Sequence, residues 1–188
     1  MSKLYFISIL ILFPFSNFCQ DLQEESSSTK SLYQYAALDI DGDSFYFSSL
    51  KGKKLILINT ATKCMFAPQI SELQKLYESY QDKGVVVVAF PCNDFANREP
   101  KGNNSVKKLC LKKYGVTFPL MSKVSVKGDD MHPVYQYLTQ KELNGFSNNK
   151  VEWNFQKFLV NEKGYLVMII SPRKSPFCDE IVEWIENE

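Results

Sequence analysis

The sequence holds a single histidine in 188 residues, no Cys-x-x-Cys pair, and a formal net charge of only +1. Each scarcity excludes something. With His132 alone and five cysteines far apart, there is no clustered ligand set for zinc or iron, and no cofactor is expected. The 22 basic and 21 acidic residues are spread along the chain, so no electrostatic footprint for nucleic acid or an anionic membrane is visible. The one long apolar run, Leu4 to Phe15, falls short of the roughly 20 residues that span a bilayer, which argues against a permanent transmembrane helix. Internal repeats are absent, and the only biased segment is a polar, Ser-rich stretch near the N-terminus.

What is present divides the chain into three. Lys3, the apolar run and the short segment Ser16 to Gln20 read as an exported signal, so residues 1–19 are expected to be a signal peptide. Lipid anchoring through Cys19 is a minor reading, because that processing wants a small residue where bulky Phe18 stands. Residues 20–32 are a polar leader without apolar periodicity, and 33–188 form one domain with enough apolar and aromatic content for a single core. Export puts that domain in an oxidising compartment, where cysteines usually sit in disulfides. Cys64, Cys92, Cys110 and Cys178 are too few and too scattered to hold such a domain together, so redox chemistry is expected of at least one.

Within the domain, Leu38 to Gly42 and Phe45 to Phe47 flank an Asp-Gly-Asp turn and suggest an opening hairpin. Lys54 to Thr60 is a continuous apolar run, the mark of a strand buried on both faces. Ile70, Leu73, Leu76, Tyr77 and Tyr80 recur at helical spacing up to Gly84, and Val85 to Phe90 is a second buried strand. This βαβ unit forces a parallel pair. Ser105 to Tyr114 reads as a helix capped by Asn103 or Asn104, His132 to Leu138 as another, and Leu143 to Lys150 as a loop. Phe158 to Val160 and Tyr165 to Ile170 pair around Asn161-Glu-Lys-Gly164, and Glu180 to Ile185 closes the chain as a short amphipathic helix.

Cys64 follows the first buried strand and precedes the crossover helix, where α/β sheets place their ligands. A helix N-terminus there, with Lys63 next door, favours the thiolate. An inert buried cysteine is the plain alternative at such a position.

Three separated motifs resolve that choice by resemblance. Asn59-Thr-Ala-Thr-Lys-Cys-Met-Phe-Ala-Pro-Gln69, then Phe90-Pro-Cys-Asn93 with Phe95, Glu99 and Pro100, then Trp153-Asn-Phe155 with Lys157-Phe-Leu-Val160, resemble the three signature segments of the glutathione peroxidase family. Tyr114-Gly-Val-Thr-Phe-Pro119 and His132-Pro133 also fit, and the likeness covers nearly everything from Tyr33 onward. It implies an α/β, thioredoxin-like fold: a central mixed sheet flanked by helices, with an extra N-terminal β-hairpin. The implied activity is reduction of hydrogen peroxide or organic hydroperoxides through a sulfenic acid on Cys64. Trp153 and Asn154 match two further members of the family's catalytic tetrad, and each supplies an N–H donor.

The fourth member departs: Asp94 stands where the family has Gln. A carboxylate about 4 Å from a thiolate would cost roughly 4 kcal/mol at an effective dielectric near 20. That would raise the cysteine pKa by about 3 units. Asp94 is therefore expected to turn toward Lys63 or Arg98, to be protonated, or to leave the enzyme slow. Met65 and Ala67 replace the family's Gly and Thr, and Ala96 and Arg98 its Gly and Gln. Cys110 lies near the resolving thiol of thioredoxin-dependent members, so the expected reductant is a thioredoxin-like protein, with glutathione the other choice. Cys92 reads as core and His132 as structural, and the short segment between His132 and Trp153 favours a monomer. The rival from another class is a catalytically weakened redox-sensing or binding domain on the same fold.

Overall fold

The computed structural model describes residues 30–187. The expected signal peptide, Cys19 and nearly all of the leader lie outside the described residues. Elements run in the order β1 (Ala36–Leu38), β2 (Ser44–Tyr46), β3 (Lys54–Thr60), α1 (Gln69–Tyr80), β4 (Val85–Pro91), α2 (Asn103–Tyr114), α3 (Pro133–Thr139), α4 (Lys141–Asn144), β5 (Lys157–Val160), β6 (Leu166–Ile170) and α5 (Asp179–Glu186). The main sheet has the order β4-β3-β5-β6, with β3 and β4 parallel and the other two pairings antiparallel. It is a mixed sheet, and β1 and β2 form the separate N-terminal hairpin.

Alternation along β3 divides the interior in two. Ile56 and Ile58 face a cluster built with Ile70, Leu73 and Leu76 of α1, Val106 and Cys110 of α2, and Ile181 and Ile185 of α5. Leu55 and Leu57 face the opposite cluster, with Phe47, Phe90, Tyr135, Leu138 and Phe158. Residues 55–58 are fully buried, so β3 is gripped on both sides. The segment 120–122 lies along β4 and ties it to the hairpin: Met121 N–H donates to Ala89 O at 2.8 Å and Ser122 N–H to Leu38 O at 2.9 Å.

Several local expectations change. Asn103 does not cap α2, whose N-cap is Gly102; its side chain instead donates to Ser122 Oγ and accepts from Lys123 N–H. Phe47 belongs to a 3₁₀ turn, Phe47–Leu50, and not to β2. Leu143 and Asn144, expected in a loop, form the end of the one-turn helix α4. In each case a contact from elsewhere in the chain or a short turn outweighs the local pattern. His132 is a helix cap, its Nδ1 accepting Val134 N–H at 3.2 Å, and burial lowers its pKa.

Gly164 sits at φ 84 in the β5–β6 turn, and a Cβ there would overlap Ser31 Oγ and meet the Tyr33 ring at 2.8 Å. Only glycine fits this approach. Lys54, at the start of β3, donates to the carbonyls of Trp184, Ile185 and Asn187 at 2.7–3.1 Å and so ends α5.

Candidate active site

Cys64 lies in a run of turns between β3 and α1, five residues before the helix begins. It precedes the crossover helix, as expected, with four residues between it and the first helical position; the N-cap is Pro68, in the helical region of φ and ψ. Ala67 N–H already donates to Cys64 O at 3.0 Å and Ile70 N–H to Ala67 O at 3.0 Å, so the turns lead into α1 in its own direction. Cys64 as a whole residue is 7% exposed, and Phe66 N–H points at its Sγ from 3.5 Å. Lys63 is exposed and makes no ion pair among the described residues; its backbone N–H donates to Arg98 O at 3.0 Å.

The loop ahead of Cys64 is pinned by a fully buried carboxylate. Glu99 accepts from Thr62 N–H at 2.7 Å and from Thr62 Oγ1 at 2.9 Å, and its own N–H donates to Asn93 Oδ1 at 2.8 Å. Sequence reasoning quoted Glu99 only as part of a motif and gave Thr62 no role. A buried acid needs donors, and that requirement was the one available signal.

Trp153 and Asn154 sit in the turn before β5. Asn59, near the end of β3, holds this turn through three bonds: Nδ2 donates to Trp153 O at 3.1 Å, Oδ1 accepts Gln156 N–H at 3.2 Å, and its carbonyl accepts Phe155 N–H at 2.7 Å. Phe155 has φ 75, the left-handed region that a bulky side chain enters only under constraint. Asn154 is fully buried, and neither Nδ2 nor Oδ1 has a partner. Leaving a buried amide unpaired costs about 1–3 kcal/mol. Trp153 is half-buried, packs against Phe95 with ring centroids 5.3 Å apart and the planes tilted by 48°, and lies against the cluster that contains Cys64.

A cavity of about 520 Å³ opens here, lined by Met65, Phe66, Glu152, Trp153, Ser171, Pro172 and Arg173. Met65, where the family has Gly, is 81% exposed.

Asp94 behaves differently from both directions expected of it. Its Oδ2 accepts Val126 N–H at 2.6 Å, and no ion pair joins it to Lys63 or Arg98. It lines a separate cavity of about 380 Å³ with Asn93, Lys123, Val124, Ser125, Asp130 and His132. Ala96 and Asn97 follow in the left-handed region, at φ 51 and 50. The family's glycine at the first of these positions would adopt that conformation without strain.

All four cysteines of the described residues are free thiols. Cys110 lies on α2, 3% exposed, and burial, then the Glu99 carboxylate, pushes its pKa up to about 11. Cys92 is fully buried, with its pKa pushed up to about 12 chiefly by burial. Cys178 is half-buried at the N-cap of α5.

A mixed sheet of this order, with a cysteine loop after its central strand and an indole–amide turn on the neighbouring one, defines a thioredoxin-fold thiol protein. Known proteins narrow the class. The glutathione peroxidase family model matches residues 32–139. The chain is 43% identical over 157 residues to a glutathione peroxidase-like peroxiredoxin of Schizosaccharomyces pombe, covering 83% of this chain and 94% of that one. It is 40% identical over 157 residues to a glutathione peroxidase of Lactococcus lactis, covering 84% and 98%. Among solved structures, T. cruzi GPX1 superposes with a TM-score of 0.63 at 30% identity, over 82% of this chain and 93% of that one. A thiol:disulfide interchange protein of Chlorobium tepidum shares the fold, with a TM-score of 0.59 at 21% identity over 84% and 96%. The chain belongs to the glutathione peroxidase family, and it is a thiol peroxidase of the thioredoxin fold.

Proposed function

We propose that Cys64 is the peroxidatic residue and that Trp153 and Asn154 complete its site. The Cys64 thiolate attacks one oxygen of a hydroperoxide; the O–O bond breaks, the sulfur becomes a sulfenic acid, and the departing oxygen takes a proton to leave as water or alcohol. The Trp153 indole and Asn154 amide donate to the sulfur and to the developing oxyanion. The observation that carries this reading is the unpartnered, fully buried Asn154 amide in a turn strained at Phe155. Such a group is tolerated where a reacting species is to be held.

Cys110 then resolves the intermediate: its sulfur bonds to Cys64, and hydroxide leaves with a proton as water. The burial of Cys110 on α2, which also raises its pKa, supports a local opening of that helix before this step. A thioredoxin-like dithiol restores both thiols, and glutathione is the weaker donor. The protein acts as an exported monomer after loss of residues 1–19.

Asp94 supports one second reading, a weakened sensing domain, since the residue in the Gln position is tied to Val126. Peroxide consumption coupled to thioredoxin, and separately to glutathione, decides between them. The peroxidase reading requires turnover with thioredoxin, none in Cys64→Ser, and loss of thioredoxin-coupled turnover in Cys110→Ser. A wild type that oxidises once and does not turn over with either donor favours the sensing domain.

A further inference from the structure

Asn59 joins the two halves of the site. It is fully buried and lies one residue from the end of the strand that leads to Cys64. Across the sheet it makes the three bonds, at 2.7–3.2 Å, that fix the carbonyl of Trp153 and the N–H groups of Phe155 and Gln156. Asn154, with both amide atoms unpartnered, stands between these contacts. The turn needs such a clamp, because Phe155 occupies the left-handed region and an untied chain would relax out of it. From the other side Gln156 braces the same turn, its Oε1 accepting Glu152 N–H at 2.8 Å.

The chemistry of the clamp is specific to a primary amide. One side-chain atom must donate, to Trp153 O, while its neighbour accepts, from Gln156 N–H. Aspartate loses the donor when ionised, and leucine, of similar size, loses both functions. We propose that Asn59 is a positioning residue for peroxide reduction, holding the Trp153 indole and the Asn154 amide in the orientation the Cys64 sulfur requires. This rests on the reading of Cys64, Trp153 and Asn154 as the catalytic groups. Asn59 touches no substrate, and its effect passes through the turn.

The test compares Asn59→Leu and Asn59→Asp with wild type for peroxide kcat/KM across pH 5–8, thermal midpoint and tryptophan fluorescence on oxidation. Positioning predicts a loss of roughly 10- to 100-fold in kcat/KM for Asn59→Leu well below its melting temperature, with Cys64 still fully alkylatable. It also predicts that Asn59→Asp gains activity relative to wild type toward pH 5, where a protonated carboxyl donates to Trp153 O and still accepts from Gln156 N–H. A merely structural role lowers the thermal midpoint without that pH signature. Activity of folded Asn59→Leu within threefold of wild type overturns the proposal, as does a parallel pH profile for Asn59→Asp. If Asn59→Leu does not fold, the aspartate profile decides. Trp153→Phe and Asn154→Ala are measured alongside. Full activity in both removes the catalytic reading and the proposal with it, whereas their loss beside fully active Asn59 variants overturns the proposal alone.

Discussion

The Asp94 carboxylate accepts the Val126 backbone N–H at 2.6 Å, a bond across 32 residues that turns the acid into a loop anchor. A third donor, beside those proposed on Trp153 and Asn154, would be useful to the site, since one well-placed donor is worth roughly 100-fold or more in other enzymes. Asp94→Gln is expected to raise turnover with hydrogen peroxide by about tenfold, the gain being limited by release of Val126. Steady-state rates with a thioredoxin donor check it, and a fall in rate would show that the Val126 anchor matters more than the missing donor.

Met65 projects into solvent at the wall of the 520 Å³ cavity, in line with Phe66, Trp153 and Pro172. An apolar substrate body gains contact there that hydrogen peroxide cannot make. Met65→Gly should lower the ratio of kcat/KM for cumene hydroperoxide over hydrogen peroxide by roughly fivefold. An unchanged ratio would mean that Met65 contributes no substrate contact.

Lys157 is fully buried, with its ammonium on Lys174 O at 2.6 Å, and burial lowers its pKa from the ordinary 10.5 to about 8. Between those values the unfolded chain binds the proton that the folded chain has released, so stability rises with pH across that window. Below pH 8 the cost of burying the charge is felt in full. Relative to Lys157→Met, the wild type should gain about 3 kcal/mol between pH 8 and 10.5, an order-of-magnitude figure at 1.36 kcal/mol per unit. Urea titrations of both proteins at pH 7, 8.5 and 10 test it; a constant difference would refute the assigned cause.

Gly164→Ala puts a methyl group where Ser31 Oγ and the Tyr33 ring already stand, on a backbone at φ 84. The left-handed penalty and the clash together should cost about 2–4 kcal/mol. The N-terminal segment ought to loosen first, since Leu32 N–H donates to Gly164 O at 2.9 Å. Hydrogen exchange at residues 31–35 reports this directly.

Much of this architecture is legible locally. The apolar run Lys54 to Thr60 became β3 residue for residue, and Val85 to Phe90 lost only its last boundary, now at Pro91. Those elements are dictated by their own side chains, which have to leave water on both faces. The reach of Asn59 to a turn some 95 residues on, of Glu99 back to Thr62 and of Asp94 forward to Val126 is invisible in a linear reading. Each depends on what the fold sets beside a polar atom, and the same is true of Asn103, whose local environment advertised a cap. The burial that raises the pKa of Cys110 is likewise visible only in three dimensions, whereas that of Cys92 follows from its place after a buried strand.

With apolar layers packed against each side of it, β3 is a fixed shelf from which the Cys64 loop projects. A shelf that cannot tilt would hand all the travel of the proposed disulfide closure to its surroundings. On the proposed resolution by Cys110, the turns before α1 and the backbone of α2 would have to cover the distance between the two sulfurs, and any mutation that stiffens α2 should slow recycling while sparing the first encounter with peroxide.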